Sequence, residues 1–159
     1  LRIMKPTQLI TVLMMLIASV SLQAQDKVKA EKFYFSTTVN ENIEEATQSV
    51  KSALKEQGFS VITEINMSKT LKEKIDGADM MPYRILGACN AKYAWETIQK
   101  EENIGVFLPC KVILKQTSAQ QTEVVAVNPA ELMRMLKNEE LNEIAEEVST
   151  LFKKALQNL

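Results

Sequence analysis

The order in which two hydrophobic periods follow one another constrains this chain more than any other feature. Period two marks a strand, and a period between three and four marks a helix. Phe33, Phe35, Thr37 and Val39 alternate with Tyr34, Ser36 and Thr38 as a first strand. Asn40 or Asn42 can then cap a helix with Ile43, Ala46, Val50, Ala53 and Leu54 on one face, and Gly58 sits where a left-handed C-terminal cap is wanted. Phe59, Val61, Thr63 and Ile65 alternate as a second strand. Ser68 offers an N-cap to a short helix carrying Leu71 and Ile75, which Gly77 ends.

Tyr83 to Cys89 suits a third strand, and Asn90 can cap a short helix with Ala91, Ala94, Trp95 and Ile98 inward. Residues 104–116 supply a fourth strand with Val106, Leu108, Cys110, Val112 and Leu114 in one parity. Pro109 cannot donate to a ladder, so it marks an edge, a bulge or a strand that begins at Cys110. Thr122 to Val127 is a fifth strand. Asn128-Pro129-Ala130-Glu131 opens a helix with a capping side chain, Pro at the first helical position and Glu three residues after the cap. Its apolar rhythm runs on through Ile144, Val148, Phe152 and Leu156, with a kink expected near Lys137-Asn138. The order β-α-β-β-β-β-α lacks regular βα alternation, and so predicts an α+β two-layer sandwich on a mainly antiparallel sheet. One face of that sheet is left for solvent or for a second copy.

Ahead of this domain, Arg2 and Lys5 precede an apolar run of 12 residues from Leu9 to Val20, too short for the ~20 that span a bilayer. With Ala24 at the end of a short polar stretch, residues 1–24 read as a cleavable signal peptide, 25–31 as a polar leader and 32–159 as one domain. The expected location is therefore periplasmic or secreted. Cleavage leaves 135 residues with 17 basic and 20 acidic side chains, a formal charge of −3. That balance excludes a nucleic-acid footprint, and no membrane contact is expected after cleavage. The length suits a single core that stands without disulfides.

The chain contains no His, which removes the commonest general base and metal ligand. No catalytic constellation and no cofactor motif are present. The side chains with special chemistry are Cys89 and Cys110, which would meet an oxidising compartment. If the fourth strand begins at Ile104 the thiols lie about 20 Å apart; if it begins at Cys110 they face each other, and Pro109 favours the second geometry. A disulfide, two separate buried thiols and thiol redox chemistry are the competing readings, the last helped by Arg84 and Lys111 nearby in sequence. A soft-metal site would add Met80 or Met81.

Three segments also carry a family resemblance: Gly58-Phe59, Tyr83-Arg84-Ile85-Leu86-Gly87-Ala88-Cys89-Asn90 and Ile104-Gly105-Val106-Phe107-Leu108-Pro109-Cys110. The chain resembles the domain of unknown function 302 family from about Phe33 to Leu156. The resemblance implies a two-layer α+β fold of TATA-box-binding-protein-like type, often dimeric, and no known reaction. Ala91, Asn66 and Lys111 stand where that family often has Pro, Asp and Asn, and Asn66 removes any mechanism that needs a carboxylate there.

Tyr83, Trp95 and Phe107 with Asn90 as the polar group have the make-up of a small-ligand pocket beside the cysteines, or else of plain core aromatics. The leading expectation is a binding module for a small ligand or protein, a homodimer, with Cys89, Asn90, Cys110, Tyr83 and Trp95 as its site. The alternative is a thiol-based redox or sulfur-handling protein using Cys89 and Cys110.

Overall fold

The computed structural model describes residues 27–159, so the expected signal peptide lies outside the described residues. The strands are β1 (Lys29–Ala30), β2 (Tyr34–Val39), β3 (Ser60–Asn66), β4 (Tyr83–Cys89), β5 (Cys110–Ser118) and β6 (Gln121–Val127). The helices are α1 (Ile43–Glu56), α2 (Met67–Lys74), α3 (Ala91–Lys100), α4 (Pro129–Leu136) and α5 (Glu139–Gln157), with a 3₁₀ turn at Glu102–Phe107. The six strands form one antiparallel sheet in the order β1-β2-β6-β5-β4-β3. The fold is an α+β sandwich, and the expected strand and helix order holds.

Alternation decides which residues enter the core. Phe35 pairs with Ala126, which pairs with Val112, which pairs with Leu86, so one row of buried side chains crosses four strands. Helices α1 and α5 cover that face, and the Phe59 and Phe152 rings stack at 4.6 Å beneath them. On the opposite face the row is Ile65, Ile85, Ile113 and Val125, and no helix covers it fully.

Local chemistry sets the element ends. Asn42 caps α1 through a capping box with Glu45, and Gly58 takes φ +81° after the helix, as expected. In α4, however, Asn128 makes no side-chain bond to its own helix. Ser149 from α5 accepts the Ala130 N–H at 2.9 Å and donates to the Asn128 side chain at 2.9 Å.

Several expectations need correction. The leader is not all irregular: Val28 is buried and Lys29–Ala30 adds a short strand to β2, because an apolar side chain beside a sheet edge gains by packing on it. The cap of α2 is Asn66, whose side chain accepts the Lys69 N–H, and Ser68 lies inside the helix. The segment 104–107 is 3₁₀ rather than strand, and β5 begins at Cys110, directly after Pro109. The kink near Lys137 is a full break: Lys137 adopts φ 53° and Asn138 caps a separate helix.

Candidate functional site

The three familiar segments converge on one end of the sheet. The strand register places Ala88 opposite Cys110 and Gly87 opposite Thr63 and Lys111. Pro109, on a cis peptide bond after Leu108, lies against Gly87 closely enough that a β-carbon there would stand 2.6 Å from its Cγ. A β-carbon on Gly58 would stand 3.1 Å from the Asn90 side-chain nitrogen. Gly58, Gly87, Asn90 and Pro109 thus form one packed corner, in which two glycines let neighbouring segments approach.

Beside that corner opens a cavity of about 280 Å³, bounded by the ends of β4 and β5, by α3 and the 3₁₀ turn, and by α4 and α5. Ile104, Met133 and Leu141 form a small buried cluster in its wall, with Leu108 packed against them. The break at Lys137 separates α4 from α5, and residues of both helices line the cavity together with the 3₁₀ turn. The polar residues that line it are few, namely Asn90, Tyr93, Thr97 and Lys111 with the two cysteines, and the register turns the Lys111 side chain to the sheet face opposite Cys110.

The structure brings together Cys89, Asn90, Cys110 and Phe107 around this cavity, and does not bring Tyr83 and Trp95 to it. Tyr83 begins β4 at the other end of the sheet, beside a second, more open hollow with Arg84, Asn66 and Lys72. Trp95 is 66% exposed on the outer side of α3, whose Tyr93, Ala94 and Thr97 face the cavity instead of Ala91, Trp95 and Ile98. The apolar stripe of this short helix is not its buried side, because the side that packs is the one the 3₁₀ turn and α5 reach. Tyr93 and Thr97 were missed. Their spacing of four along α3 was the available signal.

The possible disulfide between Cys89 and Cys110 is not formed, and both are free thiols. The strand does start at Cys110, as Pro109 suggested. Yet Cys110 stands opposite Ala88 rather than Cys89, and consecutive residues leave a strand on opposite sides, so the two sulfurs diverge. Burial pushes the Cys110 thiol up to about 11, against a smaller opposing pull from Lys111. A thiol held protonated at neutral pH is a poor nucleophile and a poor metal ligand. The soft-metal set is not assembled either: Met80 and Met81 precede β4, and Cys89 ends it, roughly 20 Å away at ~3.3 Å per residue. Among the described residues no group of three or more His, Cys, Asp or Glu side chains is placed to hold a metal ion.

Arg84, the one charged residue of the three segments, is 7% exposed and has a structural set of partners. Its guanidinium donates to both Glu44 carboxylate oxygens, at 3.0 and 2.5 Å, and to the Thr47 hydroxyl at 2.9 Å, with Glu64 at 3.3 Å. The bidentate bond from Arg84 holds the Glu44 carboxyl below its ordinary value.

No helix among the described residues is long and apolar enough to cross a membrane. No curated protein matches the chain. Its fold is similar to the crystal structure of an uncharacterized conserved DUF302 protein from Bacillus stearothermophilus, with 28% identity and a TM-score of 0.72 over 79% of this chain and 97% of that one. The profile of the domain of unknown function DUF302 matches residues 35–159, a span that holds all three segments of the packed corner together with the cavity beside it, and the chain therefore belongs to that family.

Proposed function

We propose that this domain is a binding module for a small apolar molecule held in the cavity beside Asn90 and Cys110. One observation carries the reading: a space of about 280 Å³ walled mainly by aliphatic and aromatic side chains, with a few polar groups among them. Such a composition is that of a ligand pocket, near the small end of the usual ~300–1,000 Å³. The thiol-redox alternative finds no support in diverging sulfurs and a protonated Cys110.

The neutral fluorescent probe 1-aminonaphthalene, small enough for this cavity, tests the reading. It should brighten and saturate on the wild-type protein, and Ala94→Trp, which fills the cavity from α3, should abolish uptake while leaving the thermal melt in place. Absent uptake, or uptake indifferent to Ala94→Trp, overturns the proposal.

Export and self-association belong to the same proposal. The 12-residue apolar run from Leu9 to Val20 supports export, and a secreted product whose N-terminus is Gln25 is the expected result. The row Ile65, Ile85, Ile113 and Val125 supports a homodimer, since a second copy offers the same apolar row in the self-complementary way of two-fold interfaces. Ile113→Lys should convert a dimer into a monomer in analytical ultracentrifugation, and a wild type that sediments as a monomer refutes the dimer.

A further inference from the structure

The cavity beside the packed corner presents no charge of its own. The register turns Lys111 to the other face of the sheet, where its ammonium donates to the Pro109 carbonyl at 2.5 Å. Burial keeps the Cys110 thiol protonated at neutral pH. An ion carried in would lose its hydration and find no opposite charge, so the walls select against ions.

The remaining polar groups differ in how far the protein already uses them. The Thr97 hydroxyl donates to the Tyr93 carbonyl at 2.6 Å, and the Tyr93 hydroxyl is engaged by the Glu147 carboxylate, which raises it above its ordinary value. Asn90 is different. It continues β4 with extended backbone angles, φ −102° and ψ 111°, so alternation sends its side chain to the helix-covered face with Leu86 and Ala88. There its amide nitrogen lies beside Gly58, and among the described residues the amide has no hydrogen-bond partner.

A ligand that displaces water from that amide must replace the hydrogen bond the water made or leave a polar group unmet. A hydroxyl both donates and accepts, so it meets either end of a carboxamide; a hydrocarbon meets neither. Size sets the rest. At ~30 Å³ for a water-sized group, 280 Å³ takes on the order of ten heavy atoms, which is one short chain or one ring with a short tail.

Resting on the reading of this cavity as a ligand site, we infer that its ligand is an uncharged apolar molecule with one hydroxyl, the hydroxyl at the Asn90 amide and the body against Ile104, Met133 and Leu141. Val106 and Phe107, which border the same cavity, are 81% and 39% exposed, so the ligand would cross an apolar rim as it enters.

The test is displacement of 1-aminonaphthalene by 3-phenylpropan-1-ol, butylbenzene, 3-phenylpropanoate and 3-phenylpropylammonium on wild type, Asn90→Leu and Asn90→Asp. On the wild type the alcohol should displace the probe at least about tenfold more tightly than either ion. The ratio of alcohol to butylbenzene affinity should fall about fivefold in Asn90→Leu, the scale of one neutral hydrogen bond, and the ratio cancels the greater hydrophobicity of the hydrocarbon. Asn90→Asp should strengthen the ammonium about tenfold over the wild type. If Asn90→Leu does not fold, Asn90→Asp, of the same size as asparagine, decides. Either ion matching the alcohol on the wild type, an unchanged ratio in Asn90→Leu, or no gain for the ammonium in Asn90→Asp overturns the hydroxyl inference and leaves the cavity reading intact. A probe that never binds, or that Ala94→Trp does not exclude, overturns the cavity reading and the hydroxyl inference with it.

Discussion

Pro109 lies over Gly87, leaving no room for a side chain: a β-carbon on Gly87 would stand 2.6 Å from the proline Cγ and closer still to the Thr63 hydroxyl. The proline ring is stiff and the strand beneath it is hydrogen-bonded on both sides, so neither can yield cheaply. Gly87→Ala should therefore destabilise the domain by about 1–3 kcal/mol in urea unfolding. A loss below about 0.5 kcal/mol would show that the corner is loosely packed.

The two thiols should behave as wall atoms. Reductant should leave the melting temperature unchanged, and Cys110 should react with a thiol reagent at neutral pH only after unfolding. Its pH signature lies on the alkaline side. The folded thiol is raised from its ordinary 9.0 to about 11, so its contribution is complete below pH 9 and is lost as pH rises toward 11. The loss is of the order of 2–3 kcal/mol, and Cys110→Ala should remove that slope from a stability-against-pH curve.

Glu44 works in the opposite window. Its folded carboxyl is held below the ordinary 4.5 by Arg84, so its contribution is present above pH 4.5 and is lost as pH falls through the lower folded value. Glu44 is largely solvent-exposed, which weakens the Coulombic part, whereas Arg84 is buried and loses a bidentate partner. Glu44→Gln should cost about 1 kcal/mol at pH 7 and flatten the acid limb of the urea midpoint against pH. An unaltered acid limb would mean that Glu64 and Thr47 already satisfy Arg84.

Ser149 couples the last helix to the start of α4. Ser149→Ala leaves the buried Ala130 N–H without its acceptor and should cost about 1–2 kcal/mol in urea unfolding. Asn128→Ala, which removes the second link of the same chain, should cost less because Ser149 still accepts from Ala130. The reverse ranking would assign the cap to Asn128.

The architecture was legible because it depends on period and order. Val112 and Leu114 sit on the core face in the expected parity, and Thr122, Val124 and Ala126 of the paired strand are buried beside them. The site was legible in part. Cys89, Asn90, Cys110 and Phe107 could be grouped because they flank strand ends close in sequence or pair across one hairpin. Tyr83 and Trp95 were misplaced for different reasons: seven residues of extended β4 carry Tyr83 away from Cys89, and the rotation of α3 about its axis depends on which neighbours it meets. The thiol pairing turned on a register offset of one residue, which alternation converts into opposite directions and which composition does not encode.

The strand order has a consequence for how the chain assembles. From β3 to β6 each strand pairs with the next one made, so these four of the six strands can grow as consecutive neighbours. The strand at 34–39 is different, because its partner spans 121–127 and Val39 must find Thr122. During synthesis from the N-terminus, β2 therefore waits with its apolar side uncovered until β6 has emerged. Such long-range closure slows folding and leaves nascent chains prone to sticking. Chains cut short before β6 would lack both the seat for β2 and the helix that covers it, so the residues from 121 onward decide whether β2 folds at all.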